Sequence, residues 1–266
     1  MRSDLTHQSL ERGLRIIEAV ANIDGQPTLA VIARKTALNR STTHHILRAL
    51  VEFGYLIQDS DTRAYMLSAK LYRLTGRTWS KEQLARIAMP FLEELSRRTG
   101  EGTSLAVLRD GAVIIAAKCE PEGPLRVVQE IGDTRPIHCT AVGKVLAAWL
   151  PERESEGIIK RTVFEKKTAK TITSPVAFRR ELARVREAGV AIDNEEHIKG
   201  IRCLAGAVRD HYGEVRAALC MVGPRDHFPP RRMAEFRQEL MAVASELSTR
   251  LGHRSKKELG GRSRRN

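Results

Sequence analysis

The segment NRSTTHHILRAL, residues 39–50, sets an amide, a guanidinium, three hydroxyls and two imidazoles in consecutive positions before it turns apolar. Metal binding, proton transfer and contact with a polyanion could each use such a crowd. A metal site is disfavoured, because His44 and His45 are adjacent and would point about 100° apart on a helix, whereas two helical ligands of one metal need i, i+4 spacing. Acid–base catalysis is disfavoured too, since no carboxylate precedes Glu52 to orient either ring. What remains is recognition: Asn39, Arg40, Ser41, Thr42, His44, His45 and Arg48 are donors or donor/acceptors suited to phosphate oxygens and purine edges. An ordinary solvated helix face is the alternative, and the neighbouring elements decide between them.

Leu10, Leu14, Ile17 and Ala21 recur at helical spacing from about Ser9 to Ala21, and NIDGQP follows as a stop with Gly25 and Pro27. Thr28 is a capping residue for a second helix in which Leu29, Ile32, Ala33 and Thr36 share a face, and a short ALN connection leads to a third helix starting near Asn39. There Thr43, Ile46, Leu47 and Leu50 form the inward stripe, opposite Ser41, His45, Arg48 and Glu52. Gly54 supplies a left-handed stop, YLIQ and AYML read as two strands, and DSDTR reads as the turn between them, with Arg63 at its tip. Three helices plus a hairpin make a winged helix-turn-helix plan, in which the third helix enters the major groove and the hairpin approaches the neighbouring backbone or minor groove.

The segment SLERGLRIIEAVA through LAVIARKTALNRSTTHHILRALVEFGYLIQD to RAYML resembles the DNA-binding domain of IclR-type bacterial transcription regulators over its whole length. The resemblance adds Thr28 to the DNA-contacting set and implies double-stranded operator DNA as partner, read by a homodimer or a dimer of dimers. One departure is Thr43, where the family usually carries an aliphatic residue; its methyl can pack while its hydroxyl bonds back to the i−4 carbonyl.

Length and composition fit one large or two ordinary domains, in a protein expected in the cytoplasm. The chain has 266 residues, 42% hydrophobic, enough for a sizeable core. No apolar run is long enough for a membrane span, and Met1–Leu10 has no secretory h-region. Cys119, Cys139, Cys203 and Cys220 are widely spaced without a CxxC pair, which fits reduced thiols rather than a disulfide framework or structural zinc. The net charge of +13 favours a polyanionic partner. The expected domains are 8–68 (winged helix-turn-helix), 69–83 (linker helix), 84–252 (an α+β effector-binding domain) and 253–266 (a basic flexible tail, RSKKELGGRSRRN in its last thirteen positions).

Beyond the linker, Leu84, Ile87, Ala88, Phe91, Leu92 and Leu95 mark a helix ending at Gly100, kinked or divided at Pro90. TSLAVLR and AVIIAAKCE are strands joined by Asp110-Gly111, and LRVVQEI is expected to continue the sheet. AVGKVLAAWL reads as a helix closed by Pro151. SPVAFRRELARVREAG reads as another, capped by Ser174 and ended by Gly189, before two strands and a last helix from Pro229 to Leu251.

This half resembles the GAF-like effector-binding domain of the same family, most specifically at IHCTAVGK (137–144) and DNEEHIKGIRCLAGAV (193–208). The resemblance implies a small organic acid effector whose carboxylate lies on the amides of Ala141 and Val142, at a helix N-terminus. Asp193 and Cys203 would face its other end, with Val127, Thr140, Ile201 and Cys220 completing the lining. Where some relatives carry two serines, LCMVG offers Cys220 and Val222, which points to an aromatic or longer aliphatic carboxylate. No cofactor, metal or enzymatic activity is expected. Gly143-Lys144 lacks the glycine and Ser/Thr of a phosphate-binding loop, and His138 beside Cys139 is expected to point to the opposite face. The alternatives are a cysteine-based redox-sensing regulator and, third, a sequence-independent DNA-binding protein.

Overall fold

A computed structural model of the chain describes residues 7–71, 81–122 and 127–254. The chain divides into two compact units between Ser80 and Lys81. Most of the anticipated linker, including Leu74 and Trp79, lies outside the described residues, as does nearly all of the anticipated basic tail.

In the first unit α1 (Gln8–Ala21), α2 (Leu29–Thr36) and α3 (Arg40–Glu52) precede a hairpin of β1 (Leu56–Gln58) and β2 (Tyr65–Leu67). Its core joins Ile16, Val20, Ile32, Leu47, Leu56 and Tyr65. The face expected for α1 is corrected here: Ile16, Ala19 and Val20 are its buried residues, while Leu10 and Leu14 are 62% and 53% exposed. The helix carries two apolar arcs, and the β-branched one meets α2 and α3.

Local chemistry sets the boundaries. Asn39 caps α3 by accepting from the Thr42 amide at 2.7 Å. At the other end Gly54, at φ +74°, lets the amides of Tyr55 and Gly54 reach the carbonyls of Leu50 and Val51 at 2.8 and 2.9 Å, a Schellman stop. Thr43 is buried and donates its hydroxyl to the Asn39 carbonyl at 2.9 Å, the back-bond anticipated for it.

The second unit is a six-stranded antiparallel sheet in the order β5-β4-β3-β8-β7-β6 with helices on both faces. Its elements are α4 (Lys81–Thr99), β3 (Gly102–Arg109), β4 (Ala112–Cys119), β5 (Thr134–Arg135), α5 (Ala141–Ala148), α6 (Glu152–Arg161), α7 (Pro175–Ala188), β6 (Val190–Asn194), β7 (Ile201–Arg209), β8 (Val215–Pro224) and α8 (Pro230–Arg250). Helices α4 and α8 bury one face of the sheet with Leu92, Leu105, Leu219, Phe236 and Leu240. Helices α5 and α7 bury the other with Ala106, Ile115, Val145, Phe178 and Ala218. Helix α4 runs through Pro90 without interruption.

One expectation for this half fails, and one helix was not foreseen. Residues 127–130 have no regular structure and Val128 and Ile131 are exposed; residues 125 and 126 lie outside the described set. The β4 edge is met instead by Gly132–Arg135, through Ile115 and Val113. Helix α6 was not expected, because Gly157 and six charged residues hide its apolar pair Ile158 and Ile159.

Candidate functional site

Helix α3 directs its first two turns outward. Asn39, Arg40, Ser41, His44, His45 and Arg48 are exposed and Thr42 is half-buried, on a helix whose opposite side is fixed by Thr43 and Leu47. From Arg40 to Arg48 the polar face runs about 12 Å, and a major groove about 12 Å wide admits a helix of this kind. Capping commits the Asn39 oxygen to Thr42, leaving its amide group to donate. Thr28 precedes α2 with no capping bond from its side chain, so its hydroxyl is available to an outside acceptor.

The hairpin tip is tightly built. Asp59 Oδ1 accepts from the Asp61 amide at 3.1 Å and from the Thr62 amide and hydroxyl, each at 2.7 Å. These bonds hold the Asp59 carboxyl below its ordinary value, the Thr62 amide foremost. Arg63, exposed, takes φ +58°. The amide of Tyr65 donates to the Pro27 carbonyl at 3.0 Å, tying the hairpin to the start of α2 beside Thr28. The sequence therefore places a rigid cationic and hydroxyl surface around α3 and one arginine at the hairpin tip.

In the second unit, Thr140 caps α5. Its hydroxyl accepts from the Gly143 amide at 3.1 Å and donates to the Pro136 carbonyl at 2.7 Å, so its one donor is committed to the fold. The next amides, Ala141 and Val142, are the first helical N–H groups and have no intrahelical partner. Gly143 is required there: a Cβ on it would lie 2.5 Å from the Ile137 carbonyl oxygen. Ala141, Val142, Cys203 and Cys220 pack in one apolar cluster against the sheet, and Asp193 pairs in register with Cys203. Ile201 shares the Cys203 face by strand alternation. Val127 is half-buried but takes no part in that cluster.

Asp193 is 3% exposed and its Oδ1 accepts from the Glu196 amide at 2.7 Å and the His197 amide at 3.3 Å. Burial pushes its carboxyl up to about 6, with the Glu196 charge adding to the effect. Burial likewise pushes the Cys139 thiol up to about 12, with Asp193 and Glu196 contributing. Contact with Cys220 and then burial raise the Cys203 thiol well above its usual range. None of these is a reactive thiolate near neutral pH. His138 sits in a turn, not on a strand; its Nε2 meets the Glu165 carbonyl at 3.1 Å and its ring lies 5.3 Å from Phe164. It thus has partners outside any pairing with Cys139.

Beside this site lies a residue the sequence reading set aside with its motif. Lys144 is fully buried, and its Nζ donates to Glu196 Oε1 at 2.6 Å, the Ile192 carbonyl at 2.8 Å and Glu181 Oε1 at 3.3 Å. A cavity of about 320 Å³ borders Arg135, His138, Arg161 and Lys167. Another of about 620 Å³ borders Glu181, Arg184, Glu196 and Arg202. Neither is lined by Ala141, Val142, Cys203 or Cys220. Among the described residues no cluster of His, Cys, Asp and Glu could hold a metal ion, and no helix is long and apolar enough to cross a membrane.

Comparison with known proteins places both units. Residues 9–60 match the IclR helix-turn-helix domain, and residues 76–249 match the C-terminal domain of bacterial IclR transcriptional regulators. The chain is 32% identical to the HTH-type transcriptional regulator KdgR of Escherichia coli (strain K12) over 84% of each protein. It is similar to the crystal structure of the Agobacterium tumefaciens repressor BlcR, with a TM-score of 0.74, 25% identity and coverage of 95% of this chain and 100% of that one. It is also similar to an IclR homologue from Microbacterium hydrocarbonoxydans solved in complex with 4-hydroxybenzoate, at TM-score 0.59 and 26% identity, covering 91% and 98% of the two chains.

Proposed function

The chain belongs to the IclR family of bacterial transcriptional regulators, and on that premise we propose that α3 reads operator DNA while the apolar site under α5 takes an organic carboxylate. The coarse role follows from the family: a DNA-binding regulator with an effector domain, its relatives regulators rather than enzymes. The residues are our assignment. Arg40, Ser41, Thr42, His44, His45 and Arg48 reach bases and phosphates, Asn39 caps the helix and donates its amide, and Thr28 and Arg63 fix the flanking backbone. Ala141 and Val142 hold the carboxylate, with Asp193, Cys203, Cys220 and Ile201 around the remainder. Operator symmetry calls for a homodimer or a dimer of dimers.

The observation that carries the reading is the exposure of six polar α3 side chains on a helix pinned from behind by Thr43 and Leu47. An aromatic or longer aliphatic effector fits the Cys220 and Val222 substitutions and the homologue bound to 4-hydroxybenzoate. The high thiol values at Cys139 and Cys203 favour a ligand over oxidation as the signal.

The test is operator affinity. In Arg40→Ala and in Arg48→Ala, binding at one fixed salt concentration should weaken by about tenfold to a hundredfold, with the melting temperature unchanged. Affinity equal to that of the natural chain in both variants rules out α3 as the recognition helix.

A further inference from the structure

Strand β3 carries a buried hydroxyl that nothing among the described residues satisfies. Ser104 is 1% exposed and its Oγ has no hydrogen-bond partner. Its neighbour Thr103 donates to the Leu92 carbonyl on α4 at 2.9 Å, so alternation along β3 turns Ser104 towards the opposite face of the sheet. There it stands directly opposite Cys220 in the β3–β8 register, and Cys220 packs with Ala141 and Val142. Leaving a hydroxyl without a partner in an apolar environment is costly, and alanine would remove that cost. A serine held this way is open to a partner beyond the described residues, a water or a ligand.

We propose that Ser104 binds the far end of the effector. The inference rests on the carboxylate site proposed above. Ser104 lies on β3, one strand beyond Cys220 and about 14 Å across the sheet from the strand of Asp193, at roughly 4.8 Å per strand. A two- or three-carbon oxo-acid held on the α5 amides with its other end turned to Asp193 on β6 leaves Ser104 on β3 unengaged. An elongated carboxylate with a distal hydroxyl or carbonyl crosses β8, lies against the apolar sides of Cys220 and Val222, and hydrogen-bonds Ser104. The effector class is therefore a hydroxy- or oxo-substituted aromatic or medium-chain acid, with Ser104 the residue that separates it from the unsubstituted parent.

Matched pairs test this on the full chain: benzoate with 4-hydroxybenzoate, hexanoate with 6-hydroxyhexanoate, and pyruvate as the short acid, by calorimetry and thermal shift. Within at least one pair the hydroxylated acid should bind about fivefold to tenfold tighter, the value of one neutral hydrogen bond. Ser104→Ala should abolish that preference, leave the parent's affinity intact and raise the melting temperature of the unliganded protein. If the parents bind but hydroxylation confers no advantage, or the advantage survives Ser104→Ala, the role of Ser104 is refuted and the carboxylate site stands. If pyruvate alone binds, the elongated class is refuted. If none of the acids binds, the carboxylate reading falls and this inference with it.

Discussion

Among the described carboxyl groups, Asp193 is the one most altered by its surroundings. Its folded carboxyl, pushed up to about 6 by burial, keeps its proton where the unfolded chain has released it. The native state thus binds more protons between about pH 4 and 6, and stability falls as pH rises through that window, then levels off. Asparagine can accept the Glu196 and His197 amides without carrying charge. Asp193→Asn should therefore match the natural chain near pH 4 and exceed it by on the order of 2–3 kcal/mol above pH 6.5. Denaturant titrations of both proteins across that range would expose the difference, and parallel curves would refute it. The importance of Asp193 was legible only through its motif. The orphaned Ser104 and the buried Lys144 were not legible, since both depend on which strand lies opposite and on what a helix start covers.

At the scale of elements, the first turn of α5 depends on a missing side chain. A Cβ at residue 143 would lie 2.5, 2.6 and 2.8 Å from the backbone O, Cα and C of Ile137, atoms that cannot rotate aside. Gly143→Ala should cost about 2–4 kcal/mol by forcing α5 away from the 136–140 turn. It should abolish the response to carboxylates and leave operator binding intact. A melting temperature within a degree of the natural chain would show that the turn yields freely. Helix starts and turns were the readable part of this architecture: Ser174, Asp110-Gly111 and Gly189 stand where local chemistry put them, whereas Thr28 precedes α2 without a side-chain capping bond. Faces and edges were less readable. The choice between two apolar arcs on α1 is made by tertiary packing, and the β-branched run at 127–131 stays outside the sheet because Gly132–Arg135 take the edge of β4.

At the scale of the whole molecule, the work is divided on the proposed reading: the net charge of +13 would favour any duplex, and α3 would add preference. Measured against salt, binding to the protein's own upstream DNA and to a scrambled duplex should both weaken steeply, since each phosphate contact releases counterions. The upstream sequence should keep an advantage of about a thousandfold or more. Equal affinity for the two duplexes would leave only a basic coat for nucleic acid, the third alternative raised by the composition.

Lys144 acts as a keystone. Three acceptors from α7 and the β6 region converge on its ammonium, and removing such a cation would strand the Glu196 carboxylate away from water, while Glu181 keeps Arg184. On the reading proposed above, the start of α5 is thus bolted on the side of α7 and β6, and any adjustment to the width of a guest falls to the other side, as in a caliper with one jaw fixed.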